Sequence, residues 1–247
     1  MIRLKAVCKS FGDKEALHNI NLTIADGETL VIIGGSGSGK STLLRLLIGL
    51  IRPTSGEIWF GKTDISQISE KELDKFRLHM GMVFQYSALF DSMTVGDNVA
   101  FGLREHTNKS EAEIKAIVAD KLRLVGLANI ADLMPNELSG GMKKRVSLAR
   151  AIAFNPQIIF YDEPSSGLDP IMTSKIDELI MDMKAKLRVT SVVVTHDMAS
   201  ACRIADRIAM IYDGELIAVD TVEKFKASND ARIQAFFHTF ITKGGDN

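Results

Sequence analysis

Apolar residues recur along the chain with the two periods of strands and helices. They alternate with polar residues at Ile2 to Val7 and at Leu17 to Ile24, which predicts two half-buried antiparallel strands. The continuous apolar run Leu30 to Ile33 predicts a fully buried strand, and glycines lead from it into a predicted helix at Lys40 to Leu50. The chain therefore begins with antiparallel β structure and continues with a strand, a loop and a helix.

The middle of the chain has the period of helices. After a predicted buried strand at Met80 to Phe84, residues 87–128 are expected to be mostly helical. Ser110 and Glu113 form an S-x-x-E capping box, which marks the start of one of these helices. The pattern predicts a helical subdomain at about residues 87–155.

Strands and helices alternate again in the last third of the chain. This βαβ order predicts a parallel core sheet, followed by a hairpin that turns at Asp213-Gly214. The predicted elements are strand Ile158 to Asp162, helix Ile171 to Leu187, strand Val192 to Thr195, helix Met198 to Ile204, and hairpin strands Arg207 to Tyr212 and Glu215 to Val219.

The C-terminal segment predicts an amphipathic helix at about residues 229–242. Its apolar residues have the i, i+3, i+4, i+7, i+8 spacing of one helical face. Such a face is typical of core packing, and contact with a dimer partner or a regulator is the alternative. The residues of this face are Ile233, Phe236, Phe237, Phe240 and Ile241.

Length, charge and composition exclude several classes of protein. A length of 247 residues suits one α/β domain with a helical insertion and is too short for two ATPase modules. The formal net charge of -1 gives no electrostatic footprint for DNA or RNA, so no nucleic-acid partner is expected. No apolar run is as long as the roughly 20 residues that a membrane-spanning helix needs. The first residues also lack the pattern of a signal peptide, so a cytosolic location is expected. Cys8 and Cys202 lack metal-ligand spacing and are expected to be reduced thiols.

A glycine-rich motif lies between the predicted buried strand and the helix that follows it. It fits G-x-x-x-x-G-K-[ST], in which glycines turn backbone N–H groups toward phosphate oxygens and the helix N-terminus adds positive charge. Lys40 is expected to reach the β/γ phosphates, and Ser41 to bind Mg²⁺. The predicted phosphate-binding residues are Gly34, Gly35, Ser36, Gly37, Ser38, Gly39, Lys40, Ser41 and Thr42.

Two acids close the predicted strand Ile158 to Asp162. Asp162 and Glu163 are expected at its carboxyl end, where α/β sheets place their ligands. Because successive strand residues point oppositely, Asp162 is expected to hold Mg²⁺ while Glu163 orients or deprotonates the attacking water.

One further motif carries a family resemblance. Ser139, Gly140, Gly141 and Met142 follow Leu138 in an L-S-G-G-M run, and their order before the Asp162-Glu163 strand resembles the signature motif of an ABC ATPase. The resemblance covers nearly the whole chain. Taken alone, the run favours an ordinary N-capped helix with solvated Lys143, Lys144 and Arg145, and it is the order of the motifs that favours the signature.

The resemblance implies a fold and a partner. The fold is an α/β P-loop NTPase cassette, a single domain over residues 1–247, with a parallel core sheet, an N-terminal antiparallel β subdomain and a helical subdomain. The family pairs its cassettes head to tail, so that each signature meets ATP held in the cradle of the other copy. A homodimer that binds ATP and Mg²⁺ is therefore expected.

The resemblance also implies roles for single residues. Gln85 matches the Q-loop glutamine that senses Mg²⁺ and the membrane subunit, and Asp169 matches the D-loop residue that communicates across the dimer. His196 matches the switch histidine at the γ-phosphate. Phe11 matches the aromatic residue that stacks on adenine, with a core phenylalanine as the alternative. Met142 departs from the family's glutamine, so a side-chain hydrogen bond at that position is not expected.

Three classes of ABC protein contain such a cassette. A transporter motor, or translocase, is favoured over a chromosome or ribosome ATPase because the chain has neither a coiled-coil insertion between Thr42 and Leu138 nor a second cassette. A nucleotide-gated subunit without catalysis is disfavoured because Glu163 and His196 are both present.

At the level of the subfamily, several segments are similar to the ATPase of the maintenance-of-lipid-asymmetry (Mla) system and its Mce-type relatives. This resemblance implies phospholipid transport at the cytoplasmic face of a bacterial inner membrane, with permease, Mce-domain and STAS-domain subunits. Transporters of amino acids or organic solvents are the alternative. The apolar loop from Tyr86 to Phe90 is either a groove for the permease or a packed loop. The segments are Phe84 to Asp91, Asn98 to Ala100, Leu103 to Thr107, Leu133 to Pro135 and Met142.

Overall fold

The structure is a computed structural model that describes the backbone of residues 1–241 and the side chains of residues 1–237. Its strands are β1 (Ile2–Phe11), β2 (Lys14–Ile24), β3 (Thr29–Ile33), β4 (Ser55–Phe60), β5 (Thr63–Asp64), β6 (Met80–Val83), β7 (Ile158–Asp162), β8 (Thr190–Val194), β9 (Arg207–Tyr212) and β10 (Glu215–Thr221). Its α-helices are α1 (Lys40–Leu47), α2 (Glu70–Arg77), α3 (Val95–His106), α4 (Glu111–Leu124), α5 (Gly140–Ala151), α6 (Pro170–Leu187), α7 (Met198–Ile204), α8 (Val222–Lys226) and α9 (Ala231–Ile241).

The chain divides into two compact units. The first contains Met1–Asp74 and the chain from Thr190 onward, and the second contains Lys75–Val189. The helical subdomain expected at residues 87–155 falls within the second unit, where α3, α4 and α5 are found.

The first unit contains an antiparallel sheet with strand order β2-β1-β4-β5. It also contains β10-β9-β3-β8, in which β3 is parallel to both β8 and β9, whereas β10 is antiparallel to β9. All five residues of β3 are buried, as its continuous apolar run predicts for a strand covered on both faces. Leu43, Leu44, Leu46 and Leu47 of α1 are buried as well.

The second unit contains the parallel strand pair β6 and β7 and the helices α3 to α6. The capping box predicted for α4 is confirmed, since the Ser110 hydroxyl accepts from the Glu113 N–H at 3.4 Å and the Glu113 carboxylate accepts from the Ser110 N–H at 2.8 Å. The prediction that residues 87–128 are mostly helical is confirmed by α3 and α4, although helix does not begin at residue 87. Ser87 and Ala88 have left-handed φ values of 61° and 46°, and helix resumes only at α3 behind the N-cap residue Thr94.

The C-terminal helix α9 belongs to the first unit and begins close to the predicted position. Ile233 and Phe237 are buried, and the Phe237 ring lies 6.1 Å from that of Phe225 in α8. This part of the apolar face is therefore core, whereas the side chains of Phe240 and Ile241 lie outside the described residues. No helix within residues 1–241 is long and apolar enough to cross a bilayer.

Candidate active site

The glycine-rich segment at residues 34–39 connects β3 to α1 in the first unit. Gly34 and Gly39 have φ values of 152° and 111°, in a region that favours glycine. A Cβ atom on Gly34 would lie 2.2 Å from the carbonyl oxygen of Ile211, and one on Gly39 would lie 2.7 Å from a methyl carbon of Leu17. Both conformation and close packing therefore require glycine at the two ends of this loop.

The loop presents positive charge to a phosphate. The buried ammonium of Lys40 donates to the carbonyl oxygens of Gly34 and Gly35, each at 2.8 Å. The N-cap residue of α1 is Gly39, so no side chain caps the first turn and its N–H groups remain available to an anion. A helix N-terminus of this kind attracts phosphate oxygens.

Ser38 supplies a further polar group inside the loop. Its hydroxyl is buried and has no hydrogen-bond partner among the described residues. A buried hydroxyl without a partner is costly, and a phosphate oxygen would satisfy it. The loop therefore fits the phosphate chain of a nucleotide.

A cavity of about 330 Å³ opens beside the loop, and Phe11 lies at its edge. Phe11 is 50% exposed, and the Lys9 ammonium lies 5.0 Å from its ring centre. The alternative of a core phenylalanine is therefore wrong, because half of this side chain faces solvent. The lining residues are Phe11, Lys14, Glu15, Ala16, Gly37, Ser38, Gly39, Lys40, Ser41, Thr42, Asp213 and Gly214.

His196 follows β8 at the same edge of the first unit. Val194 of β8 is paired in register with Ile32 of β3, and the N–H of Thr195 donates to the carbonyl of Ile32 at 3.2 Å. His196 and Gly34 thus leave neighbouring parallel strands at their carboxyl ends. The His196 side chain is exposed, as a residue that meets a ligand requires.

In the second unit, parallel strands bring Gln85 and Asp162 to one edge. Val83 of β6 is in register with Tyr161 of β7, so the residues that follow leave the sheet side by side. The Gln85 amide donates to the hydroxyl of Ser166 at 3.4 Å. This contact lies just after β7, and no sequence motif pointed to it.

Glu163 does not follow the expected strand alternation. β7 ends at Asp162, and Glu163 has a left-handed φ of 48°. Asp162 and Glu163 are therefore not successive strand residues, so strand alternation does not set their relative directions as expected. Strained backbone of this kind in a non-glycine residue often occurs at functional sites.

The L-S-G-G-M segment begins α5. Ser139 is its N-cap residue, and its hydroxyl accepts from the Met142 N–H at 3.3 Å. Ser139 and Gly140 are exposed, whereas a Cβ on the buried Gly141 would lie 2.2 Å from the terminal carbon of Met172. The start of this helix is therefore open to an external group, as the resemblance to a signature motif implies.

Asp169 has a local structural role. It is the N-cap residue of α6, and one carboxylate oxygen accepts from the N–H groups of Ile171 and Met172, each at 3.0 Å. Its side chain is exposed. The implied role across a dimer remains a prediction.

Lys144 differs from the solvated cation expected for an ordinary surface helix. It is buried on α5, and its ammonium donates to the carbonyl oxygen of Gln85 and, at 3.5 Å, to that of Glu163. Burial lowers the pKa of Lys144, while the nearby carboxylates of Glu163 and Asp162 act in the opposite direction. Sequence periodicity gives no signal for such a contact.

Each unit offers the hard oxygen donors that Mg²⁺ prefers. Ser41 contributes an exposed hydroxyl in the first unit, and Asp162 and Gln85 contribute side-chain oxygens in the second. The described residues contain no cluster of three or more His, Cys, Asp or Glu side chains suited to a metal. Few protein ligands are typical of Mg²⁺ held together with substrate phosphates.

Known proteins resemble this chain over most of its length. Residues 17–166 match the family model of the ABC transporter. The ATP-binding protein MlaF of the intermembrane phospholipid transport system of Haemophilus influenzae is 44% identical over 96% of this chain and 89% of its own. The probable ribonucleotide transport ATP-binding protein mkl of Mycobacterium leprae is 44% identical over 96% of this chain and 68% of its own.

Two further comparisons concern substrate and fold. The methionine import ATP-binding protein MetN of Carboxydothermus hydrogenoformans is 47% identical to this chain. The match covers 82% of this chain and only 60% of MetN. The dimeric ATP-binding cassette MJ0796, solved in a post-hydrolysis state with ADP and Pi, has a TM-score of 0.82 and 36% identity over 90% of this chain and 99% of its own. This likeness confirms the predicted α/β P-loop cassette fold. The chain belongs to the ABC transporter family, in which it is an ATP-hydrolysing subunit.

Proposed function

We propose that this ATPase powers a transporter that moves phospholipids between bacterial membranes, as a peripheral subunit at the cytoplasmic face of the inner membrane. The observation that carries the proposal is the extent of the likeness to MlaF, which covers nearly all of both chains. MetN serves the import of methionine, and its likeness leaves a larger part of both chains unmatched than the likeness to MlaF does. This difference disfavours an amino-acid transporter. The relative mkl keeps ribonucleotide transport as an alternative for the experiment to test.

The first unit binds ATP in this proposal. Lys40, the Ser38 hydroxyl and the N–H groups at the start of α1 hold the phosphates. The half-exposed ring of Phe11 stacks on the adenine. His196 contacts the γ-phosphate, consistent with its exposure at the end of β8.

The second unit supplies the hydrolytic residues. Glu163 accepts a proton from the attacking water or orients it, as a carboxylate within hydrogen-bond reach can do. Ser41 is the proposed oxygen ligand for Mg²⁺ in the first unit, and Gln85 and Asp162 are the proposed oxygen ligands in the second unit. When bound, Mg²⁺ neutralises charge that develops on the phosphate oxygens.

Two copies of the chain pair head to tail. Ser139, Gly140, Gly141 and Met142 of one copy then contact ATP held by the other, while Asp169 contacts the facing copy. The exposure of Ser139 and Gly140 at the start of α5 supports this arrangement, as does the dimer of the cassette MJ0796. ATP closes the pair and hydrolysis opens it.

The loop after β6 is the proposed contact for a permease. Tyr86 is 86% exposed and Phe90 is 43% exposed, although the Phe90 ring also packs 4.9 Å from that of Phe101. Exposed aromatic groups on one loop are typical of a protein interface. An Mce-domain subunit and a STAS-domain regulator complete the proposed complex.

The experiment is to purify the chain with the membrane proteins encoded beside it and to reconstitute the complex in liposomes. We expect phospholipid in the mass spectrum of the purified complex, and ATP-dependent transfer of a fluorescent phospholipid between vesicles. The matched Glu163→Gln complex is expected to bind the same lipid without transfer. Stimulation of ATP hydrolysis by methionine or a ribonucleotide, without any lipid transfer, would overturn the proposal.

A further inference from the structure

The backbone just after β6 is strained. Ser87 and Ala88 are consecutive residues with left-handed φ values, a conformation that non-glycine residues rarely adopt in succession. Ser87 is nevertheless buried, while Tyr86 beside it is almost fully exposed. Some interaction must hold this turn against its preference to relax.

Arg150 of α5 provides that interaction. One nitrogen of its guanidinium donates to the carbonyl oxygen of Ala88 at 2.6 Å, and another donates to that of Ser87 at 2.7 Å. The planar guanidinium therefore bridges the two residues that have left-handed backbone. Charge-assisted hydrogen bonds of this length are stronger than those between neutral groups.

Lys144, six residues earlier on the same helix, holds the start of the same segment. Its ammonium donates to the carbonyl oxygen of Gln85, and it also reaches the carbonyl oxygen of Glu163 at 3.5 Å. Lys144 is buried, so these hydrogen bonds form away from bulk water. Two cations of α5 thus bind three backbone carbonyls between residues 85 and 88.

We propose that Lys144 and Arg150 are positioning residues, which bind the segment 85–88 to α5 so that this segment and the signature residues at the start of α5 move together. Lys144 also fixes the main chain of Glu163. Displacement of the exposed Tyr86 by a partner is then transmitted to Ser139 through one rigid helix. The inference rests on the roles proposed above for Gln85 and Glu163.

The test uses the full-length chain in its transporter complex with the variants Arg150→Lys and Lys144→Gln. Lysine keeps the charge of Arg150 but cannot bridge two carbonyls with a planar fork. We expect kcat for ATP hydrolysis to fall about tenfold in each variant, with KM within about twofold of wild type. Lys143→Gln, on the same helix, is the matched control and is expected to keep both values.

A second measurement does not depend on hydrolysis. Chymotrypsin cleaves after exposed aromatic residues only where the chain can unfold locally, so we expect cleavage after Tyr86 to be about tenfold faster in Arg150→Lys than in wild type. The assay uses the full-length chain without the permease, which is proposed to cover Tyr86, and wild-type cleavage in the folded Arg150→Lys chain would overturn the proposal.

Glycine at position 88 provides a rescue. Because glycine adopts positive φ without a steric cost, Ala88→Gly combined with Arg150→Lys is expected to recover at least half of the lost kcat. A double variant no faster than Arg150→Lys would contradict the positioning role. If instead Glu163→Gln hydrolyses ATP normally while cleavage after Tyr86 still responds to Arg150→Lys, the proposed catalytic role fails and the positioning role stands.

Discussion

The ammonium of Lys40 lies 2.8 Å from the carbonyl oxygen of Gly34, inside the loop that is expected to receive phosphate. Lys40 is buried, and its hydrogen bonds to the carbonyls of Gly34 and Gly35 hold the side chain in the loop before ATP arrives. Binding then exchanges carbonyl partners for phosphate oxygens and needs little reorganisation of the side chain.

The variant Lys40→Ala is expected to bind ATP about 100-fold more weakly, since it loses a charged hydrogen-bond donor at the phosphates. Isothermal titration with a non-hydrolysable ATP analogue measures the change. Lys14→Ala, at the outer edge of the same cavity, is the comparison and is expected to have a much smaller effect. An unchanged affinity in Lys40→Ala would contradict the assignment of the phosphate loop.

Phe11→Ala is expected to weaken ATP binding about tenfold, because it removes the ring that stacks on adenine. Phe11→Tyr keeps the ring and should bind as the wild type does. Inorganic triphosphate separates the contribution of the adenine from that of the phosphates. Its affinity should not differ between Phe11→Ala and wild type, because it has no ring for Phe11 to stack on. Equal loss of affinity for ATP and triphosphate would place Phe11 outside the base-binding surface.

Glu163→Gln is expected to lower kcat about 1000-fold while leaving ATP affinity close to wild type, because the amide cannot accept the proton of the attacking water. With ATP bound and not hydrolysed, the closed dimer should accumulate, which size-exclusion chromatography detects. Turnover at the wild-type rate would remove Glu163 from its proposed role.

Gly34→Ala is expected to destabilise the fold by about 3 kcal/mol, because the added methyl group would overlap the carbonyl of Ile211 in a backbone conformation that alanine avoids. The control is Gly35→Ala, where a Cβ would meet no atom within 4 Å in the described part of the chain. Urea unfolding of the nucleotide-free protein compares the two. A similar midpoint for both variants would contradict the steric argument.

The start of α9 should respond to acid. The guanidinium and backbone N–H of Arg232 hold the pKa of Asp230 at about 2, below the usual 3.8 of an aspartate. Since the folded-state pKa is lowered, the stabilising contact is complete above about pH 4 and is lost as the pH falls through about 2. The protection of residues 231–237 against hydrogen exchange, relative to the intrinsic exchange rate at each pH, should therefore fall over this range, and Asp230→Asn should remove this change.

Much of the site was predictable because its signals are local in sequence. The phosphate loop, with Gly34, Gly39 and Lys40 between a buried strand and a helix, needs particular residues for backbone geometry and charge, so the motif itself carries the chemistry. The strand β7 was also predicted with its observed bounds. Fold class follows from the same alternation of strands and helices.

The errors concern contacts between distant segments. The turn at Ser87 and Ala88 is held by Arg150, and the burial of Lys144 depends on carbonyls of the loop after β6. Hydrophobic periodicity describes one element at a time, so it cannot reveal which cation reaches which carbonyl. The expected direction of Glu163 fails for a local reason, because strand alternation stops where the chain turns after Asp162.

The parallel register of β6 and β7 places Gln85 and Asp162 at one edge of this strand pair. This placement does not depend on a contact between the two side chains. The site therefore depends on the number of residues in each strand as well as on the packing of buried residues such as Ile159 and Phe160. A single insertion between Met80 and Gln85 would shift the pairing by one position and turn each following side chain to the opposite face. An unchanged number of residues in β6 and β7 is thus a requirement of the site that is separate from the packing of their side chains.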